Sequence, residues 1–196
     1  TSYRCHALAL LLGATPNELM AELYGRVDGN AKGRGGSMHF FTERLLGGHG
    51  IVGGQIPIGV GAGLSASYLG KDELSICFMG DGAVAQGSFH ESLNLASLWN
   101  LPCLFVIENN EWGMGTAVNR AISVDKIAES KASGYGMQAY TINGMDFFEC
   151  FDAFESIGKE IKKLTKKYFD FSDIYTDNFI MNLKDDYLSI MGLTNK

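Results

Sequence analysis

The chain has 196 residues, of which 46% are hydrophobic and 19% charged. That is apolar material for a sizeable core, and it excludes intrinsic disorder as the main state. A formal net charge of −6 and a pI near 5.2 exclude a nucleic-acid backbone as principal ligand, so any bound anion must be held by a local set of donors.

In chain order, Thr15-Pro16-Asn17-Glu18 predicts a helix start, with Thr15 as cap, Pro16 in the first turn and Glu18 completing a capping box. The helix runs through Leu19, Met20 and Leu23 and stops at Gly25. Of the 25 glycines in the chain, 13 lie between Gly25 and Gly63 without a fixed period, which excludes a repeat architecture and predicts tightly turned or closely approached backbone. Residues 29–54 read as a long glycine-rich loop, and loops of that length in a compact domain are usually functional. Gln55–Leu69 reads as a buried helix whose Gly59 and Gly63 share a close-packing face. Its apolar stretch is broken by glycines and falls short of the roughly 20 residues that span a bilayer, so no membrane segment is expected. Ser75–Met79 and Cys103–Ile107 are short apolar runs suited to buried parallel strands, and Ser88–Trp99 between them reads as a helix. Strand, helix and strand in this compass form a βαβ unit, so the predicted fold is α/β with a parallel sheet flanked by helices. Gln138–Ile142 predicts another strand, ended by Asn143-Gly144, and Phe147, Phe151, Phe154, Ile157, Ile161 and Leu164 mark an amphipathic helix. From Lys159 the composition turns charged and almost glycine-free, which sets a boundary between a domain at 1–158 and a tail at 159–196. The tail is expected as helix or loose coil on the surface, with Phe169, Phe171, Tyr175 and Phe179 covering a sheet edge. Cys5, Cys77, Cys103 and Cys150 form no CxxC pair and read as free thiols in a reducing compartment.

The chemistry is expected at two strand tips, Gly80-Asp81-Gly82-Ala83 and Glu108-Asn109-Asn110-Glu111-Trp112-Gly113. Open α/β sheets bind ligands at the carboxyl ends of their strands. Asp81 offers a carboxylate and Asn110 an amide oxygen, hard ligands suited to Mg²⁺. Gly82 and Ala83 lead into a helix, where unpaired N–H groups can hold a phosphate. Taken alone, Gly-Asp-Gly is more often a tight turn, and Asn-Asn suits a cap.

The spacing adds to this. Gly80-Asp81-Gly82, then 26 residues, then Asn109-Asn110 resembles the thiamine-diphosphate signature. Tyr3-Arg4, Lys32-Gly33-Arg34-Gly35-Gly36-Ser37-Met38-His39, Gly50-Ile51-Val52-Gly53-Gly54-Gln55-Ile56-Pro57 and Trp112-Gly113-Met114-Gly115-Thr116 occur in the matching order. Together, over Thr1 to Gly158, they resemble the alpha subunits of the thiamine-diphosphate-dependent 2-oxo acid dehydrogenases, of the pyruvate or acetoin type rather than the branched-chain type.

The resemblance implies a thiamine-diphosphate-binding fold. It implies Asp81, Asn110 and the backbone carbonyl of Trp112 as Mg²⁺ ligands, with Gly82 and Ala83 as diphosphate-binding amides. It further implies Tyr3 and Arg4 as side chains reaching the cofactor, and Gly50 and Val52 beside its aminopyrimidine and thiazolium rings. The activity implied is oxidative decarboxylation of pyruvate with acyl transfer to a lipoyl group. A beta subunit would supply the activating glutamate and a lipoyl-bearing acetyltransferase would accept the acyl unit, in bacterial cytoplasm or an organelle matrix. An acetoin dehydrogenase subunit and a non-catalytic cofactor- or partner-binding remnant are the alternatives. The resemblance also implies a further strand and a Tyr-Arg-x-x-Gly-His-Ser loop after the last helix, and a segment before Tyr3. The sequence has no histidine after His90, so the fold reads as incomplete at both ends.

Other residues yield less. His39 suits either a catalytic role or a structural hydrogen bond. His6, His49 and His90 show no zinc spacing, Lys32 and Arg34 lack a P-loop pattern, and Ser37 lacks a nucleophile elbow.

Overall fold

The computed structural model describes residues 1–167 and 179–184, with side chains described through Lys162. Two short helices come first, α1 (His6–Leu11) and α2 (Pro16–Leu23). The capping box of α2 forms as the sequence predicts: the Thr15 hydroxyl accepts from the Glu18 N–H at 3.2 Å, and Glu18 accepts from the Thr15 N–H at 2.7 Å. This pair satisfies two of the donors that a helix start leaves orphaned. Cys5, Ala9, Ala14, Leu19, Phe40 and Leu45 bury themselves together, so the returning glycine-rich loop closes a small core with both helices.

Helix α3 (Gln55–Tyr68) then packs flat on the sheet. A Cβ at Gly59 would stand 3.1 Å from the Cys77 Cβ, and one at Gly63 would collide with the Cys103 Sγ. The two glycines therefore set the helix-to-sheet distance, as their shared face predicts.

Strand β1 (Ser75–Gly80) pairs in parallel with β2 (Cys103–Asn109), Cys77 opposite Phe105 and Gly80 opposite Glu108. A 3-10 turn (Asp81–Ala85) and helix α4 (Gly87–Leu98) connect them. All residues of β2 are buried. Cys103, Phe105 and Ile107 join the core with α3, α4 and helix α5 (Ile127–Ser133). Leu104 and Val106 face Ile157 and Ile161 of helix α6 (Phe147–Lys167) on the other side. A continuous apolar run is what a strand covered on both faces requires, and each such side chain contributes about 1.5–3 kcal/mol on burial. Between β2 and α5 lies a small antiparallel hairpin, β3 (Trp112–Gly113) with β4 (Thr116–Ala117), and β5 (Gln138–Asn143) precedes α6.

The tail departs from expectation. Phe179–Lys184 forms a strand, β6, inserted between β2 and β5, in the order β1-β2-β6-β5 with every pair parallel. Leu104 and Gln138 both lie opposite Phe179, so this segment does not cover an edge; it fills the sheet. Two strands whose facing backbone groups have no other partner leave a slot that only a strand satisfies on both sides. The compositional change at Lys159 falls within α6. Phe169, Phe171 and Tyr175 lie outside the described residues. Among the described residues no helix is long and apolar enough to cross a membrane.

Candidate functional site

The carboxyl ends of β1 and β2 stand side by side because Gly80 is in register with Glu108. Asp81 starts the 3-10 turn at the first tip and is 1% exposed. Its Oδ1 accepts from the Gly82 N–H at 2.6 Å, whereas its Oδ2 is buried without a hydrogen-bond partner. Burial pushes the Asp81 carboxyl above its ordinary value; the amides of Gly82, Glu111 and Trp112 and the charge of Arg4 oppose the shift without cancelling it.

At the second tip the chain turns on its own side chains. Asn109 Oδ1 accepts from the Glu111 N–H at 3.1 Å, and Asn110 Oδ1 from the Trp112 N–H at 3.0 Å. Glu111 takes a left-handed φ of 64° there, a conformation that two Asx bonds help to hold. The hairpin that follows folds back on the first tip, where a Cβ at Gly82 would sit 3.3 Å from the Gly113 Cα. Asp81, Gly82, Asn110 and Trp112 are thus gathered in one place. Ala83 is buried just inside it, and Trp112 is 55% exposed.

Arg4 reaches the same tips from the N-terminal segment. Its Nη1 lies 3.5 Å from Glu108 Oε2, both side chains being largely buried, and its guanidinium lies 5.2 Å from the centre of the exposed Tyr3 ring. Burial raises the Glu108 carboxyl also, with Arg4 opposing. The Arg4 guanidinium thus lies near both buried carboxylates, and the Thr1 ammonium adds a second positive charge near Glu108.

Gly50 and Val52 stand to one side. The Ser88 hydroxyl donates to the Gly53 carbonyl at 3.3 Å, which ties their loop to the start of α4. Gly50 donates its N–H to His39 Nε2 at 3.3 Å, and His39 Nδ1 lies 3.1 Å from the Gly35 carbonyl, so both ring nitrogens of His39 are engaged. The Val52 side chain is open to solvent at 56% exposure.

A Mg²⁺ ion fits this donor set. Asp81 Oδ2 is an orphaned, desolvated oxygen of a carboxyl group, and the adjoining strand tip offers the Asn110 amide oxygen, which accepts from the Trp112 N–H. Among the described residues no group of three His, Cys, Asp or Glu side chains could hold a metal, so an ion here must take neutral oxygens with the one carboxylate.

Sequence reasoning passed over Glu108 and Glu22. Glu108 ends an otherwise apolar strand, and that interruption is a usable signal. Glu22 falls three residues after Leu19 on the inward face of α2, just ahead of a loop rich in N–H donors.

A parallel α/β sheet with an acidic tip, an Asx-turned tip and a glycine-rich loop defines a ligand-binding domain of the open-sheet class. Residues 1–164 match the dehydrogenase E1 component family, and the chain belongs to that family. It is 43% identical over 165 residues to the pyruvate dehydrogenase E1 component subunit alpha of Rickettsia bellii, covering 83% of this chain and 50% of that protein. To the human somatic-form mitochondrial subunit alpha it is 50% identical over 121 residues, 62% of this chain and 31% of that protein. An X-ray structure from Mycobacterium smegmatis, described as a thiamin diphosphate-dependent enzyme, aligns with 71% of this chain and 25% of that one, at 20% identity and a TM-score of 0.48, too distant to inform the site. The chain spans about half the length of the Rickettsia relative.

Proposed function

We propose that this chain carries the alpha-subunit part of a pyruvate dehydrogenase E1 component and binds Mg²⁺ and thiamine diphosphate at the tips of β1 and β2. The observation that carries this reading is the buried, unpartnered Asp81 Oδ2 beside Asn110 and the Trp112 turn. Asp81, Asn110 and the Trp112 carbonyl would hold the ion. The Gly82 and Ala83 amides would hold the diphosphate, and Arg4, steadied by Glu108 and Tyr3, would add positive charge there. Gly50 and the exposed Val52 would border the rings, the branched Val52 side chain propping one against the other.

Thiamine diphosphate, when bound, supplies the electron sink for cleaving the bond between a 2-oxo group and its carboxylate. The residues of this chain anchor and orient; none is assigned a proton transfer, and a beta subunit would provide the activating glutamate. The exposed apolar side chains of α3, among them Ile58, Leu64 and Tyr68, support a role in subunit contact, since a helix apolar all round requires cover. A lipoyl-bearing acetyltransferase would accept the acyl unit. The compartment would be bacterial cytoplasm or mitochondrial matrix, as the sources of the relatives suggest.

The test is calorimetric titration of the chain with thiamine diphosphate, with and without Mg²⁺, read beside tryptophan fluorescence. Decarboxylation of pyruvate and, separately, carbon–carbon cleavage of acetoin are then assayed with a beta subunit added. Mg²⁺-dependent binding and turnover of pyruvate are expected. Turnover of acetoin alone would move the reading to acetoin dehydrogenase, binding without turnover would make the chain a non-catalytic remnant, and absence of binding would overturn it.

A further inference from the structure

Glu22 is the most enclosed carboxylate away from the strand tips, with 0% exposure in the middle of the N-terminal layer. Among the described residues no basic side chain pairs with it. Backbone amides do the work of a cation, three of them through hydrogen bonds: Glu22 Oε2 accepts from Ala31 at 2.7 Å and Gly33 at 2.9 Å, and Oε1 accepts from Gly35 at 2.5 Å. Burial by itself pushes this carboxyl up, but the amides of Gly33, Gly35, Ala31 and Gly36 together outweigh it and hold Glu22 below its ordinary value, hence ionised. The loop can wrap so closely only with glycine at the contact points. A Cβ at Gly29 would collide with the Glu22 carboxylate and backbone, and Gly33 has a φ of +75°.

The wrapped loop has a far end. Gly35 gives its N–H to Glu22 and its carbonyl to His39 Nδ1, and His39 Nε2 takes the Gly50 N–H. We propose that Glu22 is a positioning residue: its carboxylate shapes the glycine-rich loop and, through Gly35 and His39, fixes the backbone at Gly50 on the ring side of the cofactor site. This rests on the proposed function for the placing of Gly50 and Val52 beside the rings. The hydrogen-bond relay itself does not. A carboxylate is needed at Glu22 because a carboxamide offers one acceptor and turns an N–H donor toward amides that are donors themselves.

The experiment uses the full chain and two variants, Glu22→Gln and His39→Ala. Amide hydrogen exchange should accelerate at least about tenfold at Ala31, Gly33, Gly35 and Gly50 in Glu22→Gln, and at Gly50 without the first two in His39→Ala. Calorimetry then compares thiamine diphosphate with inorganic pyrophosphate, each with Mg²⁺. Both variants should lose about tenfold in thiamine diphosphate affinity and keep their pyrophosphate affinity, because Asp81 and Gly82 are untouched. A general loss of structure would weaken both ligands alike and would overturn the positioning role. An unchanged Gly50 amide in Glu22→Gln would overturn it too, and if that variant does not fold, an unchanged Gly50 amide in His39→Ala has the same force. If the unaltered chain binds thiamine diphosphate no more tightly than pyrophosphate, the ring-side reading of Gly50 fails, and the exchange pattern alone decides the relay.

Discussion

Replacing Asp81 by Asn separates what that residue does for the fold from what it does for the ligand. The carboxylate is desolvated, accepts one hydrogen bond from Gly82 and leaves Oδ2 without a hydrogen-bond partner. Asn keeps the size and can keep the Gly82 bond through its own carbonyl, while its NH2 group replaces the unpartnered Oδ2 and faces the Glu111 and Trp112 amides. Because burial raises the folded-state value above the ordinary 3.8, the folded chain retains a proton that the unfolded chain has released. Stability of the unaltered chain therefore falls as pH rises from the unfolded value through the folded one, and it stays lower above. The Asp81→Asn chain does not titrate there, and this gain offsets the cost of an NH2 group facing amides, so at pH 7 its ligand-free melting temperature should stay within about 4 °C of the original. The proposed ligand would behave oppositely: with Mg²⁺ bound as proposed, the carboxylate would be one half of a buried ion pair, and removing one half costs about 3–5 kcal/mol. At about 1.4 kcal/mol per factor of ten this is about two to three and a half orders of magnitude in Kd for thiamine diphosphate. Titration calorimetry at saturating Mg²⁺ measures the first effect and scanning calorimetry without ligand the second. A Kd within about threefold of the original, or a ligand-free melting point lowered by more than about 4 °C (over 1 kcal/mol at this length), would refute the reasoning.

Gly63→Ala drives a methyl group into the Cys103 Sγ and should cost about 1–3 kcal/mol in urea denaturation, with part recovered in the double variant carrying Cys103→Ala; additivity of the two would place the helix wrongly. Burial pushes the thiols of Cys77 and Cys103 up to about 12, so at pH 8 both should stay unalkylated in the native chain while Cys150, half-buried at the surface, is modified first; mass spectrometry of the timed reaction reads the order. Ending the chain after Lys167 removes β6 and leaves β2 and β5 without the neighbour that pairs both. Such a chain should lose its cooperative thermal transition, and a melting curve unchanged by the truncation would contradict the strand order.

Local patterns in the sequence were sufficient for the parts whose physics is local. The capping box at Thr15, the two apolar runs that became β1 and β2, and the glycine pair facing the sheet from α3 all rest on neighbours within a few residues or on a single period. The strand tips were legible for the same reason, because the carboxyl end of a buried strand is marked by the change from apolar to polar residues at Gly80 and at Glu108. The charged composition after Lys159 points to helix or loose coil on the surface, yet β6 lies between β2 and β5. A slot between two strands is created by partners some 40 to 75 positions away, and no local propensity records it. Nor does any spacing bring Arg4 to Glu108 across about a hundred residues, or set Glu22 under the amides of a loop that comes after it. The chain by itself determined which residues offer ligating oxygens and where its backbone must be glycine. Only tertiary structure decided which of those oxygens lose their water and their partners together, because desolvation belongs to the assembled fold and not to any stretch of sequence.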